Sequence, residues 1–106
     1  MIQAMENAVL PQVDAERLAD FAHRWRVREL AVFGSAARGD SHADSDVDLM
    51  VEFLPGNTWD LIDLADMRLQ LEAIVGGRVD LIEKGAVKNP HRLASIERDL
   101  ITVYAA

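Results

Sequence analysis

The chain has no cysteine among its 106 residues. Disulfides and thiolate metal sites are therefore excluded, and a reducing cytoplasm is the expected compartment. No apolar run approaches the roughly 18 residues that a membrane-spanning helix needs, so no membrane association is expected. The opening residues, MIQAMENAVLPQVDAER, show no basic stretch followed by an apolar block, so they do not read as a signal peptide. Basic residues are also scarce. Lys and Arg number 11 against 18 Asp and Glu, giving a net charge of −7. A broad basic field for nucleic-acid phosphates is missing, and direct nucleic-acid binding is not expected. The acidity suits a basic protein partner, and it suits solubility equally well. What is present is a hydrophobic share of 50%, enough for one small core. A single domain over residues 1–106 is expected.

Residues 1–12 are weakly patterned. Asp14 is placed to cap a first helix over about 14 to 26, with Leu18, Phe21, Ala22 and Trp25 at helical spacing. Residues 28–33 read as a first strand, and Gly34-Ser35 as a turn leading into a short helix. The segment 39–45, GDSHADS, is rich in turn formers. Residues 46–54 read as a second strand, ended by Pro55-Gly56-Asn57. A second long helix is expected from about Thr58 to Val75. Leu61, Leu64, Leu71 and Val75 would form its apolar side, widened by Ile62, Ala65 and Leu69. Gly76-Gly77 stops it. Residues 78–83 read as a third strand. Asn89-Pro90 opens a final helix over about 89–104, carrying Leu93, Ile96, Leu100, Ile101 and Tyr104. The fold class is α/β (α+β): a small mixed sheet of three or four strands packed against helices.

The chemistry concentrates in FGSAARGDSHADSDVDLM, residues 33–50. On a strand, residues i and i+2 point to one side, about 6.5–7 Å apart. Asp46 and Asp48 then face together, with Val47 and Leu49 opposed. Two such carboxylates repel by roughly 1 kcal/mol at 4 Å in water, and by about 4 at an effective dielectric of 20. A divalent cation removes that penalty, and oxygen-only ligands suit magnesium shared with substrate phosphates. A lone D-x-D equally suits an Asx-rich turn at a strand start. Gly34 lets a phosphate approach the backbone, and Ser35 adds a hydroxyl at a helix start that favours anions. An isolated Gly-Ser is also an ordinary strand-to-helix turn. Asp80 interrupts the apolar run Val79-Asp80-Leu81-Ile82, where an unpaired buried carboxylate is costly. Next to the second strand it could ligate a metal and accept a proton from an attacking hydroxyl. A salt bridge to Arg78 is the other reading.

Competing motifs fail on named positions. A calcium loop beginning at Asp44 needs Gly and Glu where Leu49 and Pro55 stand. Gly34 and Gly39 have the glycine spacing of a P-loop, but Asp40-Ser41 replaces its Lys-Ser/Thr. His23, His42 and His91 show no zinc spacing and read as surface or loop residues.

Gly34-Ser35, ten intervening residues, Asp46-Val47-Asp48 and a later-strand Asp80 together resemble the nucleotidyltransferase superfamily that includes DNA polymerase β. The resemblance is closest to its minimal nucleotidyltransferase (MNT) branch. Arg38, Gly39, Ser45 and Leu49 match the longer form GSxARG…SDxDL, and the resemblance spans about residues 14 to 104, with a motif core at 28–84. It implies transfer of AMP from ATP, with two Mg²⁺ ions held by Asp46 and Asp48 and one shared by Asp80. Asp80 would also assist deprotonation of the acceptor. Gly34 and Ser35 would bind the β- and γ-phosphates. Ser45 would belong to the nucleotide site. Arg38 would contact the triphosphate or serve as an exposed structural residue. So short a chain leaves the acceptor to another molecule. Stand-alone members resemble antitoxins that add AMP to a tyrosine of a HEPN-domain ribonuclease toxin, which implies that toxin as substrate, partner and component of a hetero-oligomer. An antitoxin acting by contact alone, or an adenylyltransferase for a small molecule or RNA end with a partner subunit, are the alternatives.

Overall fold

The structure, a computed structural model, describes residues 13–39 and 45–106. The weakly patterned residues 1–12 and most of the expected loop, including His42, lie outside the described residues.

Among the described residues, four strands form one sheet. β1 (Val27–Phe33) lies antiparallel to both β2 (Val47–Phe53) and β4 (Ile101–Ala105), while β3 (Val79–Glu83) runs parallel to β2. The order β3-β2-β1-β4 makes the sheet mixed, with β3 and β4 at its edges. A parallel pair needs a long crossover. Helix α3 (Leu61–Val75) supplies it between β2 and β3.

Local chemistry sets the helix starts. The Asp14 carboxylate accepts from the backbone N–H groups of Glu16 and Arg17 ahead of α1 (Ala15–Arg24). Asp60 and Asp63 form a reciprocal capping box at α3, with bonds of 2.8 and 3.0 Å. This box starts α3 at Leu61, later than the Thr58 expected from sequence. Asn89 caps α4 (Pro90–Asp99), and Pro90 occupies its first turn as anticipated. A short α2 (Gly34–Arg38) follows β1 directly.

Two expectations are corrected. The final helix does not reach residue 104. It stops at Asp99 because Leu100 adopts an extended conformation, and Ile101–Ala105 joins β1 as β4. The β-branched and aromatic run Ile101-Thr102-Val103-Tyr104 favours that strand. The apolar stripe of α3 is also displaced. Met67, Leu71 and Ile74 are buried, whereas Leu61, Ile62 and Leu69 are 82%, 79% and 56% exposed. At about 100° per residue the latter three lie away from the buried side, and apolar character alone did not reveal which side faces the sheet.

The sheet has two different faces. Leu49 and Val51 of β2 join Leu18, Phe21, Met67 and Leu71 in the main core beneath α1 and α3. On the opposite side Phe33, Met50 and Ile96 form a smaller cluster beneath α4.

Candidate active site

The end of β1 delivers Phe33 opposite Asp48 of β2, and the chain turns at Gly34 into α2. Gly34 has φ +71°, a conformation that side-chain-bearing residues rarely adopt. A Cβ built on Gly34 would collide with the Asp48 carboxylate. The carboxylate therefore lies directly against the turn, and only glycine permits that approach. Ser35 follows, half-buried, in the first turn of α2.

The parallel register pairs Asp48 with Asp80, and Met50 with Ile82. Two acids separated by 32 positions of sequence thus occupy one row on one face. Asp80 is exposed on an edge strand, so the burial cost expected of a mid-strand carboxylate does not arise there. Asp46 precedes β2, is also exposed, and pairs with Arg78 at 3.0 Å. The salt bridge weighed for Asp80 therefore engages Arg78 with a different acid. Ser45 is half-buried beside Asp46.

Electrostatics single out Asp48. Burial raises its carboxyl above the ordinary aspartate range, and the neighbouring charges of Asp80 and Asp46 push the same way. The arginines at 92 and 38 oppose this in part. Arg38, expected either at the triphosphate or as an exposed structural residue, donates to Asp99 at 3.0 Å and ties α2 to the end of α4. Sequence reasoning missed Arg92. Its signal was the position one helical turn before the apolar Ile96, on a helix that covers the acid-bearing face.

Among the described residues, no group of three or more acidic or histidine side chains is close enough to form a ready-made cation cage. Asp48 and Asp80 nevertheless suit a divalent ion. Their donors are all oxygen, and their mutual repulsion is what a cation would relieve. Asp46 would complete the set by releasing Arg78.

The nucleotidyltransferase domain family matches residues 16–103. The chain belongs to that family. A Methanocaldococcus jannaschii protein named "Putative protein adenylyltransferase MJ1379" is 42% identical over 80 residues, covering 76% of this chain and 80% of the relative. The protein adenylyltransferase MntA of Thermococcus cleftensis is 40% identical over 72 residues, covering 66% and 69%. These relatives place the nucleotidyltransferase in the MNT branch. Among solved structures, a toxin–antitoxin with AMP-PNP matches 89% of this chain and 75% of its own, at TM-score 0.69 and 17% identity. A tri-AMPylated Shewanella oneidensis HEPN toxin in complex with an MNT antitoxin matches at TM-score 0.60 and 14% identity, covering 87% and 70%. At such identities these two likenesses show the nucleotidyltransferase fold, with its mixed sheet and helices. The family explains why a glycine turn, a D-x-D strand and a third acid on a parallel neighbour occur together here.

Proposed function

We propose that this nucleotidyltransferase transfers AMP from ATP to a hydroxyl of a partner protein, and that the partner is a HEPN ribonuclease toxin silenced by the modification. The observation that carries the reading is the single row formed by Asp48 and Asp80 against the Gly34 turn. The names of the adenylyltransferase relatives support the reaction, and the HEPN–MNT complex supports the kind of partner.

Asp46, Asp48 and Asp80 are the metal-holding residues, with Mg²⁺ the ion their oxygen donors suit. Bound there, magnesium would neutralise charge on the reacting phosphates. Gly34 and Ser35 cradle the phosphate tail, the turn through its backbone and Ser35 through its hydroxyl. Ser45 borders the same site. The acceptor hydroxyl gives its proton to Asp80, whose exposure lets an incoming side chain reach it. The hydroxyl oxygen then bonds to the α-phosphorus. The bond from that phosphorus to the bridging oxygen breaks, and pyrophosphate leaves in line. Arg38 serves mainly as a strut through Asp99.

The test is to incubate the full chain with ATP, Mg²⁺ and the protein encoded beside it, then weigh that protein. A gain of one or more AMP units is expected, abolished by Asp48→Asn. A bound but unmodified partner would sink the transfer reading. Neutralisation by contact is the second reading, favoured by the outward apolar side chains of Leu61, Ile62 and Leu69. It predicts that Asp48→Asn still silences the toxin in cells.

A further inference from the structure

Helix α4 and its C-cap Leu100 carry two stripes of side chains at i, i+4, i+7 spacing. Leu93, Glu97 and Leu100 line a cavity of about 120 Å³ together with Glu29 and Glu52, on the part of the sheet away from Asp48. The adjacent stripe is Arg92, Ile96 and Asp99. Ile96 is buried against Phe33 and Met50, the residues that flank Asp48 across and along the sheet. Asp99 holds Arg38 of α2. Two of the three positions are thus fixed on the side facing the catalytic turn. The third, Arg92, lies one turn before Ile96 on that same side.

We propose that Arg92 is a phosphate-binding residue of the nucleotide site, contacting the β- or γ-phosphate of the nucleoside triphosphate and then the departing pyrophosphate. The inference rests on the nucleotidyltransferase reading of the site and assigns to Arg92 a role that the family resemblance offered as one of two for Arg38.

Three observations support this assignment. Arg92 is exposed, and among the described residues its guanidinium makes no ion pair, whereas Arg38 and Arg78 are bound to Asp99 and Asp46. Ile96, one turn along on the same side, packs on Phe33 and Met50, which lie opposite and beside Asp48, so the Arg92 side of the helix faces the acids. Its helix is anchored through Ile96 and Asp99, so the side chain projects from a fixed base. A guanidinium presents a planar fork that matches two phosphate oxygens. The acids can hold cations on one side of the phosphates, but a triphosphate tail needs positive charge on its other side. Arg92 supplies it.

The experiment compares Arg92→Gln and Arg92→Lys with the unaltered full chain, measuring ATP and AMP binding by calorimetry in Mg²⁺, with melting temperature as a fold control. Arg92→Gln should weaken ATP by about tenfold, the loss of one charge-assisted contact. AMP binding should be unchanged, because AMP lacks the β- and γ-phosphates. Arg92→Lys should fall between, keeping charge without the fork. ATP and AMP weakened equally, or ATP not weakened at all, would overturn the inference while leaving the proposed function intact. An unaltered chain that binds no ATP overturns both.

Discussion

One strand, β2, serves two unlike faces. Toward α1 and α3 it sends Leu49 and Val51, both with 0% exposure, into a core completed by Met67 and Leu71, also at 0%. Toward α4 it sends Asp48, Met50 and Glu52. The alternation of a strand lets stability and chemistry occupy adjacent residues without sharing neighbours. Burial on the first side is favourable at every position. On the second, the same geometry holds Asp48 in a state that folding alone disfavours, since its carboxylate is desolvated and crowded by Asp80 and Asp46.

Substitutions on the two faces should give opposite signatures. Asp48→Asn should reduce AMP transfer by about a thousandfold, as expected when several kcal/mol of phosphate charge stabilisation is lost. Its melting temperature without nucleotide should rise, because a desolvated charge and its repulsions are removed. A lower melting temperature with retained transfer would reverse the assignment of the two faces. Leu71→Ala should cost about 2–5 kcal/mol of stability by leaving a void in the dry core. Transfer per folded molecule, assayed well below the melting temperature, should stay unchanged.

Gly34→Ala should affect both stability and chemistry. The left-handed backbone conformation should cost about 1–3 kcal/mol, and the added methyl displaces the Asp48 carboxylate, so stability and transfer should fall together. Asp60→Ala should lower stability by about 1 kcal/mol through the lost cap and leave transfer untouched. The weakest signature is pH dependence. With its pKa raised, folded Asp48 retains a proton that the unfolded chain has released. Stability is therefore fullest below the ordinary aspartate value of about 4, and this contribution is lost as pH rises through the folded pKa. Denaturation midpoints across pH should show the slope in the unaltered chain and a flatter profile in Asp48→Asn.

Much of the candidate site was legible because its motifs are local. Gly34-Ser35 and Asp46-Val47-Asp48 each encode a turn or strand whose geometry follows from a few residues. Asp80 was legible as an anomaly, a carboxylate in an apolar strand, and the parallel register gave it Asp48 as its neighbour. What escaped notice depended on tertiary contacts. Arg92 reads as one more surface arginine until Ile96 and Asp99 fix the rotation of α4. The partner of Arg38 lies 61 residues away. In the fold, the helical periodicity of Leu93 to Tyr104 suggested one helix. The open edge of β1 offered backbone partners to the last residues, and their β-branched side chains took them. Along α3, apolar residues occur on both sides, so composition did not distinguish the buried side from the exposed one.

The placement of β3 has a consequence for how activity is kept or lost. It is an edge strand, paired with β2 alone in the sheet and tied to α3 where the Glu72 carboxylate accepts from the Val79 N–H at 3.0 Å, and it carries Asp80. Edge strands open at lower free energy than the strands they flank. A brief detachment of Val79–Glu83 would separate Asp80 from Asp48 and draw Val79 out of the margin of the core, while Leu18, Phe21, Met67 and Leu71 stayed packed under α1 and α3. Warming, mild denaturant or a partner gripping the edge would thus silence the site well before the protein unfolds. In hydrogen exchange, the amides of β3 should set the upper limit on how long each molecule stays competent.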